Sequence, residues 1–302
     1  MTLIGEAQDR IAERFADAGV QGWLHAVELA ATEGPELALS ADDPVVMSSV
    51  FKLPVLVAFC RAVDAGDVDP GTALTVTPNK RTVGPTGLSI LLDPVTMSLR
   101  DLVSSMITVS DNAAADAVLE LLGFPRVAAT LAALGLSHTR VDRSAASMFD
   151  ELREELGVAD LPATFALLAD HDRPVSPRAY DPVLSSSTTA RDMTALLGAL
   201  WRDTAASPQQ CAFARRLLGQ RIMRTRLAAG FPFDDVRTSG KTGTLGALRH
   251  EVGVVEYPDE PPVAIAVFTH AARVDQNLPS AEAVIGEAAH LAVTALRLSR
   301  ER

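Results

Sequence analysis

A serine followed three positions later by a lysine, Ser49-Val50-Phe51-Lys52, leads straight into the apolar run LPVLVAFC. On a helix that interval is just under one turn, so the two side chains share a face and can touch. A serine at the amino end of a helix meets free backbone N–H groups and the positive end of the dipole, both favourable to an oxyanion. A desolvated lysine beside it can accept the hydroxyl proton. The plainer alternative makes Ser49 a helix cap and Lys52 a solvated side chain, which sits badly with the apolar residues that follow. Ser48, four residues before Lys52, is a rival nucleophile within reach of the same lysine.

Of 27 basic residues only Lys52, Lys80 and Lys241 are lysine. Lysine offers a compact charge and can lose its proton when desolvated, whereas arginine stays charged. Lys241 lies in Ser239-Gly240-Lys241-Thr242-Gly243-Thr244. Gly-Lys-Thr also ends a phosphate-binding loop, but the first glycine of that motif would fall at Asp235, beside a second acid, Asp234. The stretch reads better as a strand, with Gly243 admitting close backbone approach and the Thr244 N–H available as a donor. Ser110-Asp111-Asn112, between two apolar helical stretches, reads by itself as a helix cap.

Taken together, Ser-x-x-Lys, Ser-Asp-Asn and Lys-Thr-Gly, in that order, resemble the signature set of class A β-lactamases and penicillin-binding proteins. The resemblance runs through SVFKLPVLVAFCRAVDAG, SLRDLVSSMITVSDNAAADAVLELLG and the closing strands. It implies an α+β, β-lactamase/transpeptidase-like fold and an acyl-enzyme on Ser49, with Lys52 as its proton partner. It further implies that Ser110 relays a proton to the leaving nitrogen, that Asn112 holds the acyl amide, and that Lys241 and Thr242 bind a substrate carboxylate. The N–H groups of Ser49 and Thr244 would form the oxyanion hole, with Gly243 beside them, and Arg249 resembles a carboxylate-binding arginine of some members. The implied partner is a small molecule, a β-lactam or a carboxylate-bearing amide or ester, with no cofactor and no metal.

One departure matters. Val141-Asp142-Arg143 resembles the stretch before the family's deacylating glutamate, yet the glutamate's place holds Ala145. The segment 144–187 is about 25 residues longer than the family's loop. Asp150, Glu151, Glu154 and Glu155 are substitutes in principle, though their spacing also fits the solvated face of a helix. A β-lactamase therefore competes with an intracellular esterase, amidase or peptidase, and with a sensor or sink that acylates and stays blocked.

The elements that must position these residues follow from periodicity. Residues 6–18 space apolar side chains at helical intervals; 22–31 and 36–40 read as a strand pair around Glu33-Gly34-Pro35. Residues 50–65 predict a buried helix. Further helices are expected at 98–107, 112–122, 126–135, 147–156, 162–169, 188–202 and 207–221, with 171–187 as a long loop. Strands at 236–242, 252–257 and 263–269 and a helix at 280–298 close the chain. The expected architecture is one β-lactamase-like domain over 1–302. An antiparallel sheet flanked by terminal helices comes from about 1–48 and 222–302, and an all-α part from about 49–221.

Composition limits the rest. A net charge of −11 opposes a nucleic-acid surface, and no apolar run is long enough to span a membrane. The amino terminus has acids where a signal peptide needs an apolar stretch, so a cytoplasmic protein is expected. Cys60 and Cys211 fit small buried hydrophobes better than a disulfide. His250-Glu251 begins a zinc motif but lacks its second histidine.

Overall fold

In the computed structural model, which describes residues 2–29, 34–170, 172, 175–275 and 277–300, the two ends of the chain build one layer. Helix α1 (Leu3–Asp17) starts where the Thr2 hydroxyl accepts from Gly5 N, and it buries Ala7, Ile11 and Phe15. Strands β1 (Val20–Glu28) and β2 (Glu36–Leu39) follow, then the short β3 (Val45–Val46). The expected strand end at 30–31 and the turn residue Glu33 lie outside the described residues. The middle of the chain holds α2 (Lys52–Asp64), β4 (Ala73–Val76), β5 (Val95–Ser98), α3 (Leu99–Thr108), α4 (Asn112–Leu122) and α5 (Phe124–Ala133). After these come α6 (Ala145–Leu156), α7 (Leu161–Leu168), β6 (Ser187–Thr188), α8 (Ala190–Trp201) and α9 (Pro208–Gly219). Strands β7 (Arg237–Leu245), β8 (Leu248–Glu256) and β9 (Val263–Ala271) precede the last helix, α10 (Pro279–Ser299).

The main sheet is antiparallel with order β2-β1-β9-β8-β7. Alternation along β9 divides its side chains between two cores. Val263, Ile265 and Val267 face α1 and α10, whereas Ala264, Ala266 and Phe268 join the helical core. A strand buried on both faces reads as a continuous apolar run, as residues 263–269 do. Within the helical part, α2 is buried along nearly its whole length, and Cys60 and Cys211 are buried free thiols. Among the described residues, no helix is long and apolar enough to cross a membrane.

Two expectations need correction. Strand β7 runs on to Leu245 because Gly246 at φ +50° and Ala247 close a two-residue hairpin into β8, a turn that the plain Leu-Gly-Ala-Leu sequence does not advertise. The segment 171–187 is not wholly irregular: it carries a short turn at Arg178–Tyr180, and its end pairs as β6 with β3. His171, Arg173 and Pro174 of that segment lie outside the described residues. The segment is fastened to the hairpin. The Tyr180 hydroxyl accepts from Ala247 N at 3.0 Å, and a third apolar cluster joins Val46, Leu152, Leu168 and Ala179 to Leu245 and Leu248.

Behind β7, Arg221 and Glu251 form an ion pair at 2.6 Å whose side chains are 2% and 0% exposed. Arg221 also donates to the Thr238 carbonyl, and Glu251 accepts from Leu227 N at 2.8 Å. Removing one partner leaves the other charge buried and uncompensated. Glu251→Ala is therefore expected to lower unfolding free energy by about 3–5 kcal/mol in chemical denaturation.

Candidate active site

Ser49 lies in a 3-10 turn, Ser48–Phe51, that precedes α2 rather than in the first turn of the α-helix. Ser48 takes φ +47° there, a left-handed conformation costly for a side chain with a Cβ, and such strain clusters at functional sites. Lys52 opens α2 and is 0% exposed. Its Nζ lies 2.6 Å from the Ser110 carbonyl, 2.7 Å from Asn112 Oδ1, 3.3 Å from Ser110 Oγ and 3.4 Å from Ser49 Oγ. Burial pulls its pKa down to about 7, against the opposing charges of Asp111 and Asp116. Carbonyl and amide oxygens only accept. They therefore claim two N–H bonds of a neutral amine and leave its lone pair for a hydroxyl.

Ser110 is held at φ +59° at the end of α3, so its carbonyl and hydroxyl both face Lys52. Asp111 is the helix cap. Its Oδ1 accepts from Ala114 N at 3.1 Å, and its Oδ2 accepts from Leu88 N and Ser105 Oγ, both at 2.7 Å. The cap reading and the Ser-Asp-Asn reading thus describe different atoms of one turn. Asn112 donates one Nδ2 hydrogen to the Val83 carbonyl at 3.0 Å, leaving the other for a ligand.

Strand β7 delivers the third group. Lys241 Nζ donates to Ser110 Oγ at 2.9 Å and to the Thr242 carbonyl at 2.8 Å. Burial first, and then the nearby Lys52 charge, hold its pKa well below the usual lysine value. A Cβ on Gly243 would meet the Met47 carbonyl at 2.9 Å and Val50 Cγ2 at 3.1 Å, so only glycine lets β7 run against the turn that carries Ser49. Thr244, the next residue, is exposed.

Ser49, Lys52, Ser110, Asn112 and Lys241 are thus brought into one hydrogen-bonded cluster, with Thr242, Gly243 and Thr244 on the adjoining strand. Arg249 is not part of it. Its guanidinium is buried against the carbonyls of Gly246, Leu248 and Asp275 and lies 3.5 Å from Glu282. The guanidinium that reaches the site strand belongs to Arg226, which sequence reasoning missed. It donates to the Gly243 carbonyl at 2.8 Å and to Thr244 Oγ1 at 2.7 Å. The signal for it was slight: one arginine among several in RIMRTR, with no motif around it.

Ala145 is the first residue of α6, and its N–H donates to Asp116 at 2.8 Å. The α6 acids are exposed. Asp150 pairs with Arg153, Glu151 with Arg143, and Glu155 accepts from Arg178 N. Glu151, Glu154 and Glu155 line a cavity of about 720 Å³ that also borders Ser48 and Phe51. His250 lies on β8, where burial pushes its pKa down to about 3. Among the described residues, no group of three or more His, Cys, Asp or Glu is gathered to hold a metal ion.

A serine beside a buried lysine, a bridging second serine and lysine, and an edge strand running past the first serine match the layout of a class A-like serine hydrolase on a β-lactamase-like fold. The comparisons agree. A profile of the β-lactamase enzyme family matches residues 6–296, and the chain belongs to that family. It is 32% identical over 273 residues to the β-lactamase regulatory protein BlaB of Streptomyces cacaoi, spanning 85% of this chain and 87% of the relative. Among solved structures, a mutant of the class A β-lactamase of the last common ancestor of Gram-negative bacteria superposes with a TM-score of 0.77. That pair is 26% identical, over 96% of this chain and 98% of the other. The β-lactamase of Sphaerobacter thermophilus has the same fold at a TM-score of 0.77 and 24% identity, over 95% and 96%.

Proposed function

We propose that the protein takes an acyl group from β-lactams, or from related carboxylate-bearing amides and esters, onto Ser49 and releases it slowly. The observation that carries this reading is the pairing of an assembled acylation cluster with Ala145 at the start of α6. In the acylation step Ser49 Oγ attacks the carbonyl carbon while its proton passes to neutral Lys52. The N–H groups of Ser49 and Thr244 receive the oxyanion. As the C–N bond breaks, Ser110 gives its proton to the departing nitrogen and is resupplied from Lys52, with Lys241 polarising its hydroxyl. The free Asn112 Nδ2 hydrogen receives the acyl amide carbonyl. Lys241, Thr242 and the Arg226 charge behind Thr244 favour a substrate carboxylate.

Because Lys52 must be neutral to accept the proton, the acylation rate is expected to rise with pH through a midpoint at about 7 and to level above it. Lys52→Arg should be nearly as damaging as Lys52→Ala, since a guanidinium keeps its proton, while Lys241→Arg should be milder. Rates of adduct formation across pH for the three variants check this. Equal, slight losses at both lysines would overturn the assignment.

The test of the function is intact-protein mass spectrometry over time after mixing with penicillins, cephalosporins and simple esters. An adduct on Ser49 that persists supports the reading; no adduct with any of them sinks it. A relative named as regulatory and a slowly clearing acyl group fit a sensor as well as a sluggish hydrolase. A part in antibiotic resistance requires fast clearance.

A further inference from the structure

The cavity of about 720 Å³ bordered by α6 and the 178–186 stretch is not the catalytic cluster: Ser49, Lys52, Ser110, Asn112 and Lys241 all lie outside its lining. The two share one wall, because Ser48 and Phe51 come from the turn that carries Ser49. The volume falls within the roughly 300–1,000 Å³ of small-molecule sites. Part of the lining is apolar. Val46, Phe51 and Leu152 are buried, whereas Val183 and Leu184 stay 73% and 45% exposed, apolar surface that the described chain leaves uncovered. Ser48 also lines the cavity and is 7% exposed, and its hydroxyl has no hydrogen-bond partner among the described residues. A bound polar group would supply the bond that this buried hydroxyl lacks.

The charged part of the lining nearly cancels. Arg140 pairs with Asp142, and Arg143 with Glu151. Glu155 accepts from Arg178 N through both carboxylate oxygens. Two charges are left over. The Arg178 guanidinium and the Glu154 carboxylate line the cavity with neither hydrogen bond nor ion pair among the described residues. Glu155, next to Glu154, holds the Arg178 backbone, so both charges belong to one side of the cavity. We infer that the cavity is a second small-molecule site, for an amphipathic zwitterion of the size of a hydrophobic dipeptide. The apolar body would pack on Val46, Phe51 and Leu152, the carboxylate would meet Arg178, and the ammonium would meet Glu154. A simple anion would face Glu154 and a simple cation Arg178, so a ligand carrying both charges fits this rim better than either.

The experiment is calorimetric titration of the protein with three probes. They are leucyl-leucine, N-acetyl-leucyl-leucine, which lacks the ammonium, and leucyl-leucine amide, which lacks the carboxylate. Leucyl-leucine should bind tightest. Arg178→Ala and Glu154→Ala should each weaken it about fivefold, the scale of one solvated ion pair. Each loss should vanish with the matching probe: Glu154→Ala should leave the affinity for the acetylated peptide unchanged, and Arg178→Ala that for the amide. Both side chains are exposed, so the variants should fold, and thermal melts check that they do. Lys241→Ala is the control for the catalytic cluster and should bind leucyl-leucine as the wild type does. The inference is overturned if none of the three probes binds, or if all three bind equally in every variant. It is also overturned if binding is lost only in Lys241→Ala, which would place the dipeptide at the catalytic cluster. Calorimetry reads binding whether or not Ser49 takes an acyl group, so failure here and failure of the acyl-enzyme reading are separate results.

Discussion

Ser49→Ala is expected to abolish covalent labelling by every β-lactam that labels the wild type, with the fold unchanged. The structure gives reasons for both halves. Ser49 Oγ is 3.4 Å from Lys52 Nζ, a long contact whose loss costs little, and Lys52 keeps the Ser110 carbonyl and Asn112 Oδ1 as acceptors. The hydroxyl is therefore dispensable to stability but holds the atom that would form the ester bond. Ser48 is the control. It is buried at φ +47° and lines the cavity beside α6, whereas the hydroxyls that Lys52 contacts are those of Ser49 and Ser110. Ser48→Ala should label at close to the wild-type extent. Labelling that persists in Ser49→Ala and vanishes in Ser48→Ala would falsify the register of the nucleophile. Mass spectrometry of the intact protein reads both outcomes, and thermal melts confirm that the variants are folded.

What was legible beforehand follows from how much of each signal is local. The helical spacing of Ile11 and Phe15, the apolar run after Lys52 and the two-sided burial of β9 each lie in one continuous stretch, so α1, α2 and β9 could be read directly. The Ser49–Lys52 proximity is also local, as is the Asp111 cap. Arg226 was not legible, because its partners Gly243 and Thr244 lie 17 and 18 residues away on another element and only the fold joins them. Asp116 was hidden for the same reason: its bond to Ala145 spans 29 residues. Arg249 shows the converse. Its resemblance to a carboxylate-binding arginine rested on its position in the sequence, whereas its guanidinium contacts, the hairpin carbonyls and Glu282, are set by the fold. Short strands β3 to β6 carry too few residues for a period to show.

Deacylation is expected to be the slow step. Ala145 contributes no acid at the start of α6, and the carboxylate nearest that place, Asp116, is committed to two amides and a hydroxyl. A positioned general base typically contributes about 10²- to 10⁴-fold to rate, so its loss should be plain in the kinetics. A chromogenic cephalosporin should give a burst of about one equivalent of enzyme and then a slow steady rate, with the acyl adduct visible by mass throughout the slow phase. Ala145→Glu should quicken clearance where the new carboxylate reaches the water side of the ester. Asp116→Asn in the same chain should help it further by removing a neighbouring like charge. Fast linear turnover with no burst would mean that another group activates water. The candidates are then Glu151, Glu154 and Glu155, which share the cavity bordering Ser48 and Phe51, together with Asp150 on the same helix. Single alanine substitutions at these four positions would identify which one acts. Rapid wild-type turnover that none of the four slows would show that the water is activated without a carboxylate from α6, leaving Lys52 itself, neutral near pH 7, as the base to test.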